Sequence, residues 1–143
     1  MRDRLNINLN YRELMINEWD EKNILGMHML ETKDIFLLAT ALGLDTPEDI
    51  QGKKDGYVRS SYIRTYQKAL MASILLGLEE NREKVDEYAN EDVNYDEAER
   101  CAESGFKKLK EMIDSADGDM ELLEKRIFSH LNMLYQKNVA SNL

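Results

Sequence analysis

Asp34–Leu44 reads DIFLLATALGL, and Ile35, Phe36, Leu37, Leu38, Ala39, Ala41, Leu42 and Leu44 leave it almost no polar side. At a helical angular step these side chains point all the way round the axis, so the spacing predicts a helix enclosed by protein. It is too short to cross a bilayer, which needs about 20 apolar residues. Thr32 is placed to pair an orphan amide at its start, and Asp34 suits the positive end of its dipole. Gly43 is placed to end it.

A second apolar stretch, from Thr65 or Tyr66 to Leu78, reads much like the first: LMASILLGL against LLATALGL. The pattern predicts two similar helices packed against each other. Between them runs Asp45–Ser61, which holds the only proline, Pro47, together with Gly52 and Gly56, and reads as irregular chain with a turn at Lys54–Tyr57. On the N-terminal side, Leu5, Ile7 and Leu9 alternate with Asn6 and Asn8. That period of two fits a short strand paired with a second copy or with the segment near Tyr57, but an arm laid on the core is the preferred reading. A helix is expected from Tyr11 to Asp20, then a connection over 21–31 broken at Gly26.

On the C-terminal side, helices are expected over 81–90, from near Asn94 to Ser115, and from Asp119 to Lys137. Asn94 and Glu97 resemble a capping box, and Ala98, Cys101, Ala102, Phe106, Leu109, Met112 and Ile113 form an apolar stripe. Ser115–Gly118 break it. Met120, Leu123, Ile127, Leu131 and Leu134 form the buried face of the last helix, with Phe128 and Tyr135 just beside that face. One proline and seven glycines in 143 residues leave long runs free of helix breakers. The expected fold is all-α: a single-domain helical bundle of about five or six helices with an optional short N-terminal strand. Residues 1–10 form its arm, 11–137 its core and 138–143 a frayed tail.

The net charge of −9 opposes general attraction to nucleic acid or anionic membrane. One cysteine, Cys101, excludes an intrachain disulfide and fits a reducing compartment. Cys101 itself reads as a small buried apolar residue, and His130 as a packed or boundary histidine. Without an apolar leader or a run of membrane length, a cytoplasmic protein is expected. Hydrolase, nucleotide-binding and zinc-protease motifs are absent from the sequence, and no cofactor is expected.

Two constellations remain. Asp92, Asn94, Asp96 and Glu103 match positions 1, 3, 5 and 12 of a calcium loop, but Glu97 stands where the sharp turn needs glycine. An acid-rich helix start is the preferred reading. The other is basic: Lys53, Lys54, Arg59, Arg64 and Lys68 against Asp55, with Tyr57, Tyr62 and Tyr66 interleaved, a local charge of +4. Cations between aromatics can hold phosphates and stack bases. The alternative, preferred here, is a solvated loop whose cations pair with residues 79–104, where eleven acids face three bases.

Three segments carry a resemblance: KDIFLLATALGL (33–44), DGYVRSSYIRTYQKALMASILLG (55–77) and ERCAESGFKKLKEMI (99–113). Together they resemble small prokaryotic proteins associated with DNA phosphorothioation systems, and related archaeal proteins. The shared pattern is an FLLA-x-ALG helix, a basic loop, a second apolar helix and an AE-x-GF/L helix, spanning residues 33–135. The acidic stretch Glu91–Asp96 departs from it. The resemblance implies a helical fold and an accessory role beside DNA-modifying or defence machinery, and it carries over no catalytic residue. The expected function is a non-enzymatic accessory or interaction protein, with a protein partner or self-association. The alternatives are a nucleic-acid-binding regulator using residues 52–68 and an enzyme whose carboxylate site assembles only in space.

Overall fold

The computed structural model describes residues 4–59, 63–77 and 83–139. The chain is mostly helical, but it is not a pure all-α bundle, because a two-stranded antiparallel sheet joins its N-terminal segment to its middle. Strand β1 (Arg4–Asn8) leads into α1 (Leu9–Leu14), which continues as a π turn over Met15–Trp19. Tight 3-10 turns over Ile24–Met29 connect to α2 (Thr32–Leu42). Strand β2 (Lys54–Arg59), α3 (Thr65–Leu76), α4 (Val85–Ala89), α5 (Glu91–Ala116) and α6 (Met120–Val139) follow.

The core helix α2 lies where its sequence predicts, and it is stopped for a different reason than expected. Its start is capped by Glu31, whose N–H donates to Asp34 Oδ2 at 2.9 Å, rather than by Thr32. Gly43 does follow its end, but with φ −97° it is not in the left-handed conformation of a glycine cap. It is glycine because of what lies opposite. A Cβ there would sit 1.8 Å from the Cys101 carbonyl oxygen and 2.5 Å from the Gly105 nitrogen. The converse holds on α5: a Cβ on Gly105 would fall 1.6 Å from the Ala39 carbonyl oxygen. Ala39, Ala98 and Ala102 are fully buried around the crossing. Two backbones are therefore in contact at the crossing.

That contact corrects the predicted pairing of the two apolar helices. The principal neighbour of α2 is α5, and α3 is peripheral. Only Gln67, Met71 and Leu75 of α3 are buried, while Leu70 is 49% and Tyr66 58% exposed. An all-round apolar composition says that a helix is sticky, not which helix takes the closest place. Ala98, Ala102 and Gly105 let α5 take it.

α5 is the longest element, and its ends differ from those expected. Asn90 caps it, its Oδ1 accepting the N–H groups of Asp92 at 3.0 Å and Val93 at 3.3 Å. Asn94, the predicted cap, is buried inside the first turns. The stop is at the expected place: Asp117 and Gly118 take left-handed φ values of +47° and +86°. Asp119 then caps α6 through Leu122 N–H at 3.0 Å. α6 continues through Val139, beyond the predicted start of fraying, and residues 140–143 lie outside the described ones.

The core fills between α2, α5 and the N-terminal segment. Phe106 stacks on Tyr11 with ring centroids 5.8 Å apart and meets the Tyr57 edge at 6.3 Å. Trp19, Phe36, Leu109 and Leu123 are buried around them. A smaller cluster of Leu44, Leu75, Tyr88 and Cys101 seats α3 and α4. The Cys101 thiol is pushed up to about 12 by burial, with Glu97 adding to the effect. It is a packing group, as the sequence predicts.

Replacing Gly105 with alanine forces the helices apart. We expect a loss of about 3 kcal/mol or more by denaturant unfolding. Gly52→Ala, which meets open space but holds a φ of +81°, should cost about 1 kcal/mol.

Candidate functional site

The predicted basic segment, residues 52–68, is a strand over Lys54–Arg59 and the start of α3 from Thr65. β2 pairs with β1 in the register Arg4–Arg59, Leu5–Val58, Asn6–Gly56, Ile7–Asp55 and Asn8–Lys54. Tyr57 has no opposite number, so the strand bulges there. Adjacent residues of a regular strand face opposite sides, and the bulge lets both Tyr57 and Val58 turn into the core. The preferred arm reading for residues 1–10 gives way to the strand alternative, with the Tyr57 segment as its partner.

This geometry divides the candidate basic residues. Tyr57 is buried, with the Arg12 guanidinium 5.0 Å above its ring, the Phe106 ring at its edge, and its hydroxyl donating to Met15 Sδ at 3.5 Å. Burial holds its phenol well above the ordinary range, against a smaller downward pull from Arg12. It has no face left to stack a base. Lys68 lies 3.4 Å from Glu91, where the basic and acidic segments meet. Asp55 pairs with Arg12 at 3.6 Å. Lys53, Lys54, Arg59 and Arg64 are exposed, as is Tyr66. The Arg64 N–H donates to Gln67 Oε1 at 2.8 Å, opening α3. Tyr62 lies outside the described residues.

The calcium-loop residues all fall within α5. Asp92 and Asp96 are exposed, whereas Asn94 and Glu103 are buried. Eleven residues of helix put Asp92 and Glu103 about 16 Å apart along the axis. Among the described residues no group of acids, histidines or cysteines converges for a metal. The sequence match fails because helix propensity through Glu97–Glu103 straightens what a calcium loop must fold back.

α5 instead displays three polar anchors at four-residue spacing. Arg100 pairs with Asp49 at 3.0 Å, and its carbonyl accepts Glu48 N–H at 3.1 Å. Ser104 Oγ lies 2.7 Å from Thr46 Oγ1. Lys108 bonds Asp45 at 2.9 Å and the Leu42 carbonyl at 3.2 Å, and His130 Nε2 meets the same carbonyl at 3.0 Å. The residues after α2 thus run back along α5 as a strap that delivers β2 to its partner. One step round the helix, Glu99 and Glu103 hold β1. Glu99 accepts Asn6 N–H. Asn8 Nδ2 donates to Glu103 Oε1 at 3.2 Å and to the Gln51 carbonyl at 2.7 Å.

Glu103 is 3% exposed, and among the described residues its Oε2 has no hydrogen-bond partner. Burial raises its pKa, against the opposing pull of Asn8 and the Gln51 backbone. Tyr11 beside it is pushed up to about 12 by burial and by the Glu103, Glu48 and Glu111 charges. The hydrogen bonds of this cluster hold β1 against α5. The spacing of Glu99 and Glu103 beside Ala98, Ala102 and Phe106 was visible in the sequence as two acids intruding on an apolar stripe.

The last surface is α6. Leu123, Ile127 and Leu134 are buried, and His130 is half-buried. Phe128 and Tyr135, one heptad apart, are 69% and 59% exposed, with half-buried Leu131 between them on the same stripe. No described helix is long and apolar enough to cross a membrane. Comparison with known proteins gives no family model, curated protein or solved structure that matches the chain.

Asp45 and Glu103 respond oppositely to pH. Burial raises the Asp45 carboxyl, but the Lys108 hydrogen bond and charge outweigh it, so its pKa is lowered. Its stabilisation is present above the unfolded carboxylate range and is lost as pH falls through the folded value. Glu103, raised, is stabilising in the acid and loses that contribution as pH rises through its folded value. Glu103→Gln should therefore raise stability at neutral pH by about 1 kcal/mol and flatten the fall on raising pH. Lys108→Met should lower stability by about 1–3 kcal/mol at neutral pH, and the loss should shrink in acid. Thermal melts across pH check both.

Proposed function

We propose that this chain is a non-enzymatic accessory protein that works by binding a helix of another protein along the outer face of α6. The observation that carries this reading is the pair Phe128 and Tyr135. Large aromatics exposed on one stripe of a long, peripheral helix are the side chains that anchor protein interfaces. Glu121, Glu124 and Lys125 beside them supply a charged rim. The resemblance over residues 33–135 gives the class of partner: a component of DNA-modification or defence machinery.

A second reading, a nucleic-acid-binding regulator, draws on the exposed cations Arg4, Lys53, Lys54, Arg59 and Arg64 around the sheet. The covered Tyr57 ring and the net charge of −9 weigh against it.

Phe128→Glu combined with Tyr135→Glu tests the first reading. Both sites are exposed, so stability should change by no more than about 0.5 kcal/mol per site. Native copurification with mass spectrometry should recover a stable partner with the wild type and lose it with the double variant. Light scattering shows whether that partner is a second copy. Equal recovery from both proteins would overturn the α6 reading. Salt-dependent binding of DNA or RNA, lost on replacing Lys54 and Arg59, would favour the second.

A further inference from the structure

We propose that the cavity between the N-terminal helix and the start of α2 binds a free α-amino acid with an aliphatic side chain. The cavity holds about 240 Å³. Its buried floor is Met15, Met27 and Ile35, and the more exposed Ile16 and Leu30 stand at its mouth. Methionine and branched aliphatic walls suit an unbranched or branched hydrocarbon of several carbons, and thioethers adapt to its shape.

Two charges of opposite sign line the same cavity without meeting. Arg12 touches Asp55 only through Nε, at 3.6 Å, and its terminal nitrogens make no hydrogen bond among the described residues. The Tyr57 ring, 5.0 Å beneath, fixes the plane of the guanidinium. Asp20 also lines the cavity, and its carboxylate has no partner among the described residues. The third charged lining residue, Glu31, is already paired with Lys33 at 3.1 Å. A guanidinium held by Asp55 through Nε alone, with its terminal nitrogens unbonded among the described residues, and the Asp20 carboxylate over an apolar floor match a zwitterion: carboxylate to Arg12, ammonium to Asp20, side chain to the floor.

The backbone supports this pairing. In an uninterrupted α-helix, residues eight apart are rotated by about 80° and separated by about 12 Å along the axis. The π turn over Met15–Trp19, closed by Asp20 N–H to the Met15 carbonyl at 2.8 Å, is wider and reduces that rotation. Arg12 and Asp20 thereby line one cavity. Opposite them, Asn23, Leu25 and Gly26 all take left-handed φ values of +52°, +58° and +69°. The chain turns back through them to bring Met27 and Leu30 to the cavity wall. A leucine held in that conformation is strained, and such strain gathers at ligand sites. This site shares no residue with the α6 face and stands independently of it.

L-leucine titrated against the intact protein, followed by methyl NMR, tests the proposal. Saturable shifts are expected at Met15, Met27 and Ile35. Leucinol, which lacks the carboxylate, and 4-methylpentanoate, which lacks the ammonium, should each bind about tenfold or more weaker. Asp20→Asn, at an exposed position, should weaken leucine by a similar factor with the melting temperature unchanged. Ile16→Trp should block the mouth and abolish the shifts. No saturable shift with leucine up to about 10 mM, a range that covers weak binding, would overturn the assignment. So would equal affinity for the three ligands, or undiminished leucine binding by folded Asp20→Asn.

Discussion

The Ala39 carbonyl oxygen rests where a side chain on Gly105 would begin, and the Cys101 carbonyl does the same to Gly43. This backbone contact between α2 and α5 sets the spacing of everything else. It places the two most buried helices so close that Gly43 and Gly105 have no room for a Cβ, with Ala39, Ala98 and Ala102 completing the crossing. Close packing recovers dispersion energy along two whole helix faces, and a single added methylene has no space to occupy.

With that crossing fixed, α5 serves as a rack. Its apolar stripe takes the core. Its Glu99 and Glu103 stripe takes β1, and its Arg100, Ser104 and Lys108 stripe takes the strap from α2 to β2. The sheet of two short strands, marginal alone, is held on a helix from both sides. The more exposed ion pairs of the strap, such as Arg100–Asp49, contribute little individually. Lys108 with Asp45 is the more enclosed pair. The cost of the arrangement sits at Glu103, a buried carboxylate with one oxygen unmatched.

Other parts of the chain lie outside that rack. The outer stripe of α6 presents aromatics to solvent, and the cavity beside α1 presents a guanidinium and a carboxylate that do not pair. The predicted basic segment mostly serves the fold instead, because the β-bulge turns Tyr57 inward and Lys68 meets Glu91.

Local patterning alone set the main helices. The all-round apolarity of residues 35–44, the stripe from Ala98 to Ile113 and the breakers at Asp117–Gly118 place α2, α5 and the turn to α6 within a few residues, because local periodicity and turn chemistry are local properties. It also marked Phe128 and Tyr135 as lying beside, not within, the buried face. Partner choice was not legible. The similarity of the two apolar helices suggested that they pair, whereas Gly105, a lone glycine inside a helix, gives α5 that place. The strand was legible as alternation at Leu5–Leu9, with the Tyr57 segment as one of two candidate partners, but the register was not, since it depends on a bulge far along the chain. Asp20 and Arg12 became neighbours of one cavity only through a π turn and a left-handed loop. Which surfaces touch is settled by backbone approach and by the sum of distant contacts, and no window along the chain contains that sum.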